Sequence, residues 1–195
     1  AVKVDVHLAP NDSTIIVLSN EALAQPEETK DSLAGTIEVK DWNLTIESWT
    51  MGETVLDTEK TTIEVGKMET LKAWKEIDEE LTDVSGIGTY TATFTVDDTE
   101  GKSAYIHMGH VKDAYGVTIN GTQIIVDQVS GDAEITDALK NGENEIEITV
   151  ATSLLNAILK NNSGILNDEG KVLDDRSPAG YGLFNEVVID GNPVK

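Results

Sequence analysis

Gly86-Ile87-Gly88-Thr89-Tyr90-Thr91-Ala92-Thr93-Phe94-Thr95-Val96 alternates without a break from Thr89 onward. Tyr90, Ala92, Phe94 and Val96 share one parity; Thr89, Thr91, Thr93 and Thr95 share the other. Successive side chains of a strand project to opposite faces, so this segment has one apolar face and one hydroxylated face. Aromatic and β-branched residues fill both sets, which suits a pleated, half-buried surface. The segment predicts a long strand laid over a core.

The same period continues downstream. Asp97-Asp98-Thr99-Glu100-Gly101 is an acidic turn, after which Ala104, Ile106 and Met108 carry on the inward set and Tyr105 and His107 take the opposite face. Tyr115, Val117 and Ile119 form the next inward set and end at Asn120-Gly121. That dipeptide is a strong hairpin signal, because both central residues of a type I′ turn need positive φ. Thr122 to Val126 is the return strand, and Ile135 to Lys140 is a helical turn capped near Thr136. Ile146, Ile148 and Val150 then point inward, with Glu145, Glu147 and Thr149 outward. Residues 153–160 suit a short helix, 161–180 a loop, and Val187-Val188-Ile189 a closing strand.

Upstream, Trp42, Leu44 and Ile46 share a core parity, which leaves Asn43, Thr45, Glu47 and Trp49 on a polar face. Residues 51–61 read as a polar loop and Thr62–Val65 as a short strand, while Trp74 falls in a turn or short helix. At the N-terminus, Val2–Leu8 and Thr14–Leu18 flank the turn cluster Pro10-Asn11-Asp12 and predict a hairpin. Many short strands, regular turns and no long helix predict an all-β antiparallel sandwich over residues 36–195. Residues 1–35 are an additional N-terminal β segment with a connector, either part of or packed on the sandwich or the remnant of a preceding domain.

Composition narrows the function. The 195 residues are 39% hydrophobic, enough for a real core. Thirty-six acidic side chains against 14 basic ones give a net charge of −22. Such a surface repels nucleic-acid phosphates and anionic membranes, so neither is expected as a partner. It suits a soluble protein outside the cell, and secretion is expected. Cysteine is absent, which removes disulfides, thiolate metal sites and cysteine nucleophiles together.

Several motifs resemble one known family. Ser85-Gly86-Ile87-Gly88-Thr89-Tyr90 through Phe94 is similar to the opening of the sugar-binding domain of family 2 glycoside hydrolases. Val117-Thr118-Ile119-Asn120-Gly121 resembles that domain's hairpin, and Ile135-Thr136-Asp137-Ala138-Leu139-Lys140-Asn141-Gly142-Glu143-Asn144 its turn segment. Tyr181-Gly182-Leu183 with Val187 resembles the closing motif of rhamnosidase-like relatives, and Asp41-Trp42-Asn43-Leu44 with Trp74 their preamble. The resemblance implies a galactose-binding-like jelly roll attached to a catalytic module. The matched residues are turn and core positions. Val150-Ala151-Thr152 stands where relatives often carry Asn.

This resemblance implies a non-catalytic carbohydrate-binding accessory domain of a larger glycoside hydrolase. The alternative is a structural module that braces the parent's catalytic domain. Sugar binding uses aromatic faces against pyranose rings and polar groups for hydroxyls. Parity assigns Trp42, Tyr90, Phe94 and Tyr115 to the core. The candidate carbohydrate-binding residues are therefore Trp49, Tyr105 and His107 on polar faces, and Trp74 and Tyr181 at the rim. Calcium is the one cofactor the fold resemblance admits, with Asp97-Asp98-Glu100, Asp168-Glu169 and Asp174-Asp175 as acidic clusters.

No catalytic residue emerges. His107 and His110 fall on opposite faces of a strand, no nucleophile elbow or phosphate loop is present, and Glu145 and Glu147 read as a solvated face. Asn43, Asn120 and Asn161 begin short glycosylation patterns, of which the one at Asn120 is better explained by its turn.

Overall fold

The computed structural model describes residues 3–6, 8, 13–19, 30–54, 57–160 and 177–193. The chain divides into two compact units, Ala1–Lys30 and Asp31–Lys195. In the first unit, the described residues 3–6, 8 and 13–19 are exposed and lie in no strand. The expected N-terminal hairpin is therefore not formed among them, and its turn at Pro10–Asp12 lies outside the described residues.

The second unit is an all-β sandwich. Its strands are β1 Asp31–Ser32, β2 Thr36–Val39, β3 Trp42–Met51, β4 Thr58–Met68, β5 Gly86–Val96, β6 Lys102–Ser103 and β7 Tyr105–His107. They continue as β8 His110–Lys112, β9 Ala114–Ile119, β10 Thr122–Ile124, β11 Asp132–Glu134, β12 Gly142–Ala151, β13 Gly182–Phe184 and β14 Val187–Asp190. The helices are short: α1 Trp74–Ile77, α2 Leu155–Lys160, and two 3-10 turns.

A six-stranded antiparallel sheet runs β10-β9-β12-β5-β3-β4, and a four-stranded one runs β11-β7-β14-β2. Their inner faces share one apolar core. Leu44, Ile46, Phe94, Ile146 and Ile148 enter it from the larger sheet, and Ile106, Val187 and Ile189 from the smaller. The alternation expected for Tyr90 to Val96 holds without exception: the inward set is buried and Thr91, Thr93 and Thr95 are exposed. Trp42, Tyr90 and Phe94 are buried as parity requires, whereas Tyr115 is half-buried against the core.

Strand β4 starts at Thr58 and spans 11 residues, so it takes in the end of the expected polar loop and far exceeds the expected short strand. It forms one edge of the sheet, and its exposed half has no apolar alternation to reveal it. Its register against β3 slips by one residue between Leu44 and Thr45, and Gly66 takes a positive φ of 84° there. Asn120 and Gly121 have φ of 49° and 79°, the left-handed pair a type I′ turn demands. Thr136 does not cap the following turn. Its hydroxyl accepts from Ala104 N at 3.1 Å and donates to Glu134 at 2.8 Å.

Buried polar groups lock the turns. Asn144 is fully buried; it accepts from Lys140 N and Asn120 Nδ2, and donates to Lys140 O and Gly142 O. One end of the sandwich closes around Trp74. Its indole N–H donates to the Tyr90 hydroxyl at 2.7 Å, which also accepts from Leu183 N at 3.1 Å. Gly88 makes room for the ring, since a Cβ there would come within 2.5 Å of Trp74 Cζ2.

Removing the Tyr90 hydroxyl would leave two interior N–H groups without an acceptor. Each unsatisfied group costs about 1–3 kcal/mol, so Tyr90→Phe should lower stability by about 2 kcal/mol or more. Urea unfolding of the full chain measures this, with the slope of the transition unchanged.

Candidate functional site

The outer face of the six-stranded sheet is built from the polar parity of each strand. The register places Asn43, Thr91, Glu147 and Thr118 side by side across β3, β5, β12 and β9. Glu145 stands next to Thr93 one step along. Of these, Thr91, Thr93, Thr118, Glu145 and Glu147, together with Asp41, line a groove of about 640 Å³ that ends at the Asn120-Gly121 turn.

The walls are firm and the lining is available. Asn120 is held by bonds from its amide to Ala138 O and Asn144, both at 2.8 Å, and its Oδ1 accepts from Glu145 N at 3.1 Å. By contrast, the hydroxyls of Thr91, Thr93 and Thr118 and the carboxylates of Glu145 and Glu147 make no side-chain hydrogen bond to the described residues. Each hydroxyl can donate and accept, and each carboxylate accepts. The face therefore presents a dense array of oxygens on a rigid sheet. The groove is legible in the sequence as a polar strand face, but parity alone does not mark its lining threonines, because it does not say which strands become neighbours.

Trp49 lies on this same face. Six residues of β3 separate it from Asn43, a distance of about 20 Å. Its indole N–H donates to Glu47 at 2.6 Å, and Lys60 Nζ sits 4.1 Å from its ring centroid while pairing with Glu47 at 3.1 Å. Trp49 and then Lys60 hold the Glu47 carboxyl below the usual carboxylate range. Trp49 is half-buried, with one ring face given to the ammonium.

Trp74 and Tyr181, expected at an exposed rim, are instead 1% and 2% exposed. They meet edge to face with ring centroids 6.2 Å apart, and the Tyr181 hydroxyl bonds Ser153 Oγ at 2.7 Å. The segment at residues 73–77 folds into the sandwich end because Gly88 and Gly182 leave a slot there. A Cβ on Gly182 would stand 2.9 Å from both Trp74 and the Tyr90 hydroxyl. Neither ring can stack on a sugar in this arrangement.

Tyr105 and His107 occupy the outer face of the smaller sheet, on the far side of the sandwich from the groove. His107 Nδ1 lies 2.7 Å from Asp132, and Nε2 lies 3.2 Å from Asp190. Both acceptors are carboxylates, so both bonds need a ring N–H, which only the imidazolium has. Partial burial opposes that charge, yet the bonds to Asp132 and Asp190 outweigh it and raise the His107 pKa above the usual histidine value. The histidine thus ties β7 to both its neighbours. Tyr105, half-buried, stands opposite Glu134 and Asp190 beside this cluster.

Among the described residues, no three His, Asp or Glu side chains converge as a metal site. Asp98 is engaged by Lys102, and Asp168, Glu169, Asp174 and Asp175 lie outside the described residues. No described helix is long and apolar enough to cross a membrane.

No protein-family model matches the chain, and no curated protein sequence matches it. Solved structures do share its fold. It is similar to a rhamnosidase from Novosphingobium sp. PP1Y, with a TM-score of 0.59 and 20% identity, covering 87% of this chain and 16% of that one. A β-glucuronidase from Ruminococcus gnavus matches with a TM-score of 0.52 and 14% identity over 87% of this chain and 31% of that one. A GH2 β-galacturonidase from Eisenbergiella tayi, bound to galacturonate, matches with a TM-score of 0.50 and 16% identity over 84% of this chain and 25% of that one. The likeness is one of fold: this sandwich is the kind found in these glycoside hydrolases, in agreement with the motif resemblance. The chain spans less than a third of each of their lengths.

The His107 cluster yields a pH prediction. A raised folded-state pKa means its stabilisation is complete below the unfolded value, about 6.5, and is lost as pH rises through the folded value. NMR titration should place His107 above its ordinary pKa, and Asp190→Asn should bring it down.

Proposed function

We propose that the sandwich is a non-catalytic carbohydrate-binding accessory domain of a larger, secreted glycoside hydrolase, and that it holds an oligosaccharide on the outer face of the six-stranded sheet. The observation that carries this reading is the groove floored by Thr91, Thr93, Thr118, Glu145 and Glu147, whose side-chain oxygens make no side-chain hydrogen bond to the described residues. Hydroxyl-rich ligands are recognised by such convergent polar groups on a preformed surface. Trp49, farther along the same face, adds a partial stacking surface that an oligosaccharide reaches and a monosaccharide does not. The fold shared with glycoside hydrolases, over a small part of their length, supports an accessory place in a longer enzyme.

The pair Glu145 and Glu147 does not support a glycosidase role. Glu145 and Glu147 are exposed neighbours on one strand. Glycoside hydrolysis needs two carboxyls flanking the scissile bond, which adjacent outward positions of one strand do not provide.

A structural, bracing role is favoured by a different observation. Val4, Val6, Leu8 and the run Ile15 to Leu18 are exposed, with Ile15 90% and Leu18 76% accessible. A run of apolar side chains of this kind suits burial beneath another domain.

Calorimetry across a panel of plant and host oligosaccharides tests the first reading. Binding is expected, Thr118→Val should weaken it by about fivefold through the loss of one hydrogen bond, and Trp49→Ala should weaken long ligands more than disaccharides. Silence across the panel would sink it. Deleting residues 1–30 should leave glycan binding intact and abolish any association with a catalytic module, which checks the second.

A further inference from the structure

The groove's chemistry goes further than its shape. Three carboxylates line it, from Asp41, Glu145 and Glu147, and among the described residues no lysine or arginine does. Lys40, next to Asp41, is paired with Glu38 at 2.9 Å. In the register row that holds Glu147, the first basic side chain is Lys67 on β4. Three strand spacings separate them, about 14 Å, which exceeds the screening length of about 8 Å at physiological salt. The remaining polar lining is threonine hydroxyl. Asn120 has its amide committed to the turn, so it offers a ligand little.

This inventory is rich in acceptors and poor in positive charge. A neutral sugar brings hydroxyl donors, which carboxylates receive well. A uronate or sulfated sugar replaces a donor with an anion, and meets three like charges and a chain of net charge −22. Resting on the glycan-binding reading above, we propose that this groove is selective for uncharged oligosaccharides and rejects uronate-bearing and sulfated ones. Glu145 and Glu147 are the specificity-determining residues. Their carboxylates accept sugar hydroxyls and repel anionic ligands at the same positions.

The test uses the full chain and matched ligands in a chelating buffer: oligogalacturonides and their carboxyl-reduced neutral counterparts, with a wider neutral panel beside them. Neutral members should bind at least fivefold tighter than their uronate partners at low salt, since one carboxylate pair at close range is worth about that factor even in water. The ratio should shrink toward one as salt approaches about 1 M, where screening acts over about 3 Å. The exposed double variant Glu145→Gln/Glu147→Gln should also bring the ratio toward one. Equal or tighter binding of the uronate member overturns the selectivity and leaves the glycan site standing. A ratio that ignores both salt and the double variant overturns it as well, because charge would not be its cause. Failure of every ligand, neutral and acidic, overturns the binding reading itself.

Discussion

The Tyr90 hydroxyl joins three separate parts of the chain inside the sandwich. It accepts the indole N–H of Trp74 and the backbone N–H of Leu183, so β5, α1 and β13 meet at one oxygen. Burial pushes its pKa up to about 12, and it stays neutral and able to serve both donors. Trp74 is further tied to the last strands through its backbone N–H, which donates to Tyr181 O at 2.9 Å. Every second residue of β5 faces this anchored interior. The residues between them, Thr91 and Thr93, face the groove. Fixing one parity of a strand fixes the other, so the polar floor inherits its rigidity from the core beneath it.

Much of this was legible in the residues. The threonine alternation in β5, the inward set of β12 and the Asn120-Gly121 turn followed directly from period and φ requirements. What escaped reading has physical causes. Strand β4 sits at a sheet edge with both faces of its first half in water, so it carries no apolar period. Trp74 and Tyr181 lie outside long strands and were expected at the rim. The signal for their burial was the inward parity of Gly88, and it concerned space rather than polarity. The partners of His107 lie 25 and 83 residues away in sequence, a proximity created only by strand order.

Aromatic allocation shapes what the molecule can recognise. Trp42, Trp74, Tyr90 and Tyr181 are all interior, and the ring of Trp49 already carries Lys60. Sugar-binding surfaces commonly combine stacking with hydrogen bonding. In the proposed glycan site the balance shifts to hydrogen bonding from threonines and carboxylates spread across β5, β9 and β12. Such a surface gains its discrimination from the number and sign of its polar groups. The buried Asn144, Asn156 and Ser85 serve the architecture instead: Asn156 bridges Thr82 O and Ala179 O, and Ser85 accepts from Ala157 N.

The two borders of the larger sheet differ in length but resist the same hazard. One is β10, only three residues long. The other is the 11-residue β4, where Glu59, Lys60, Glu64 and Lys67 interleave with the register slip beside Gly66. A long flat border would template pairing with a neighbouring molecule, whereas charge and a twisted bulge discourage it. Crowded molecules thus meet a larger sheet whose borders discourage strand exchange between neighbours.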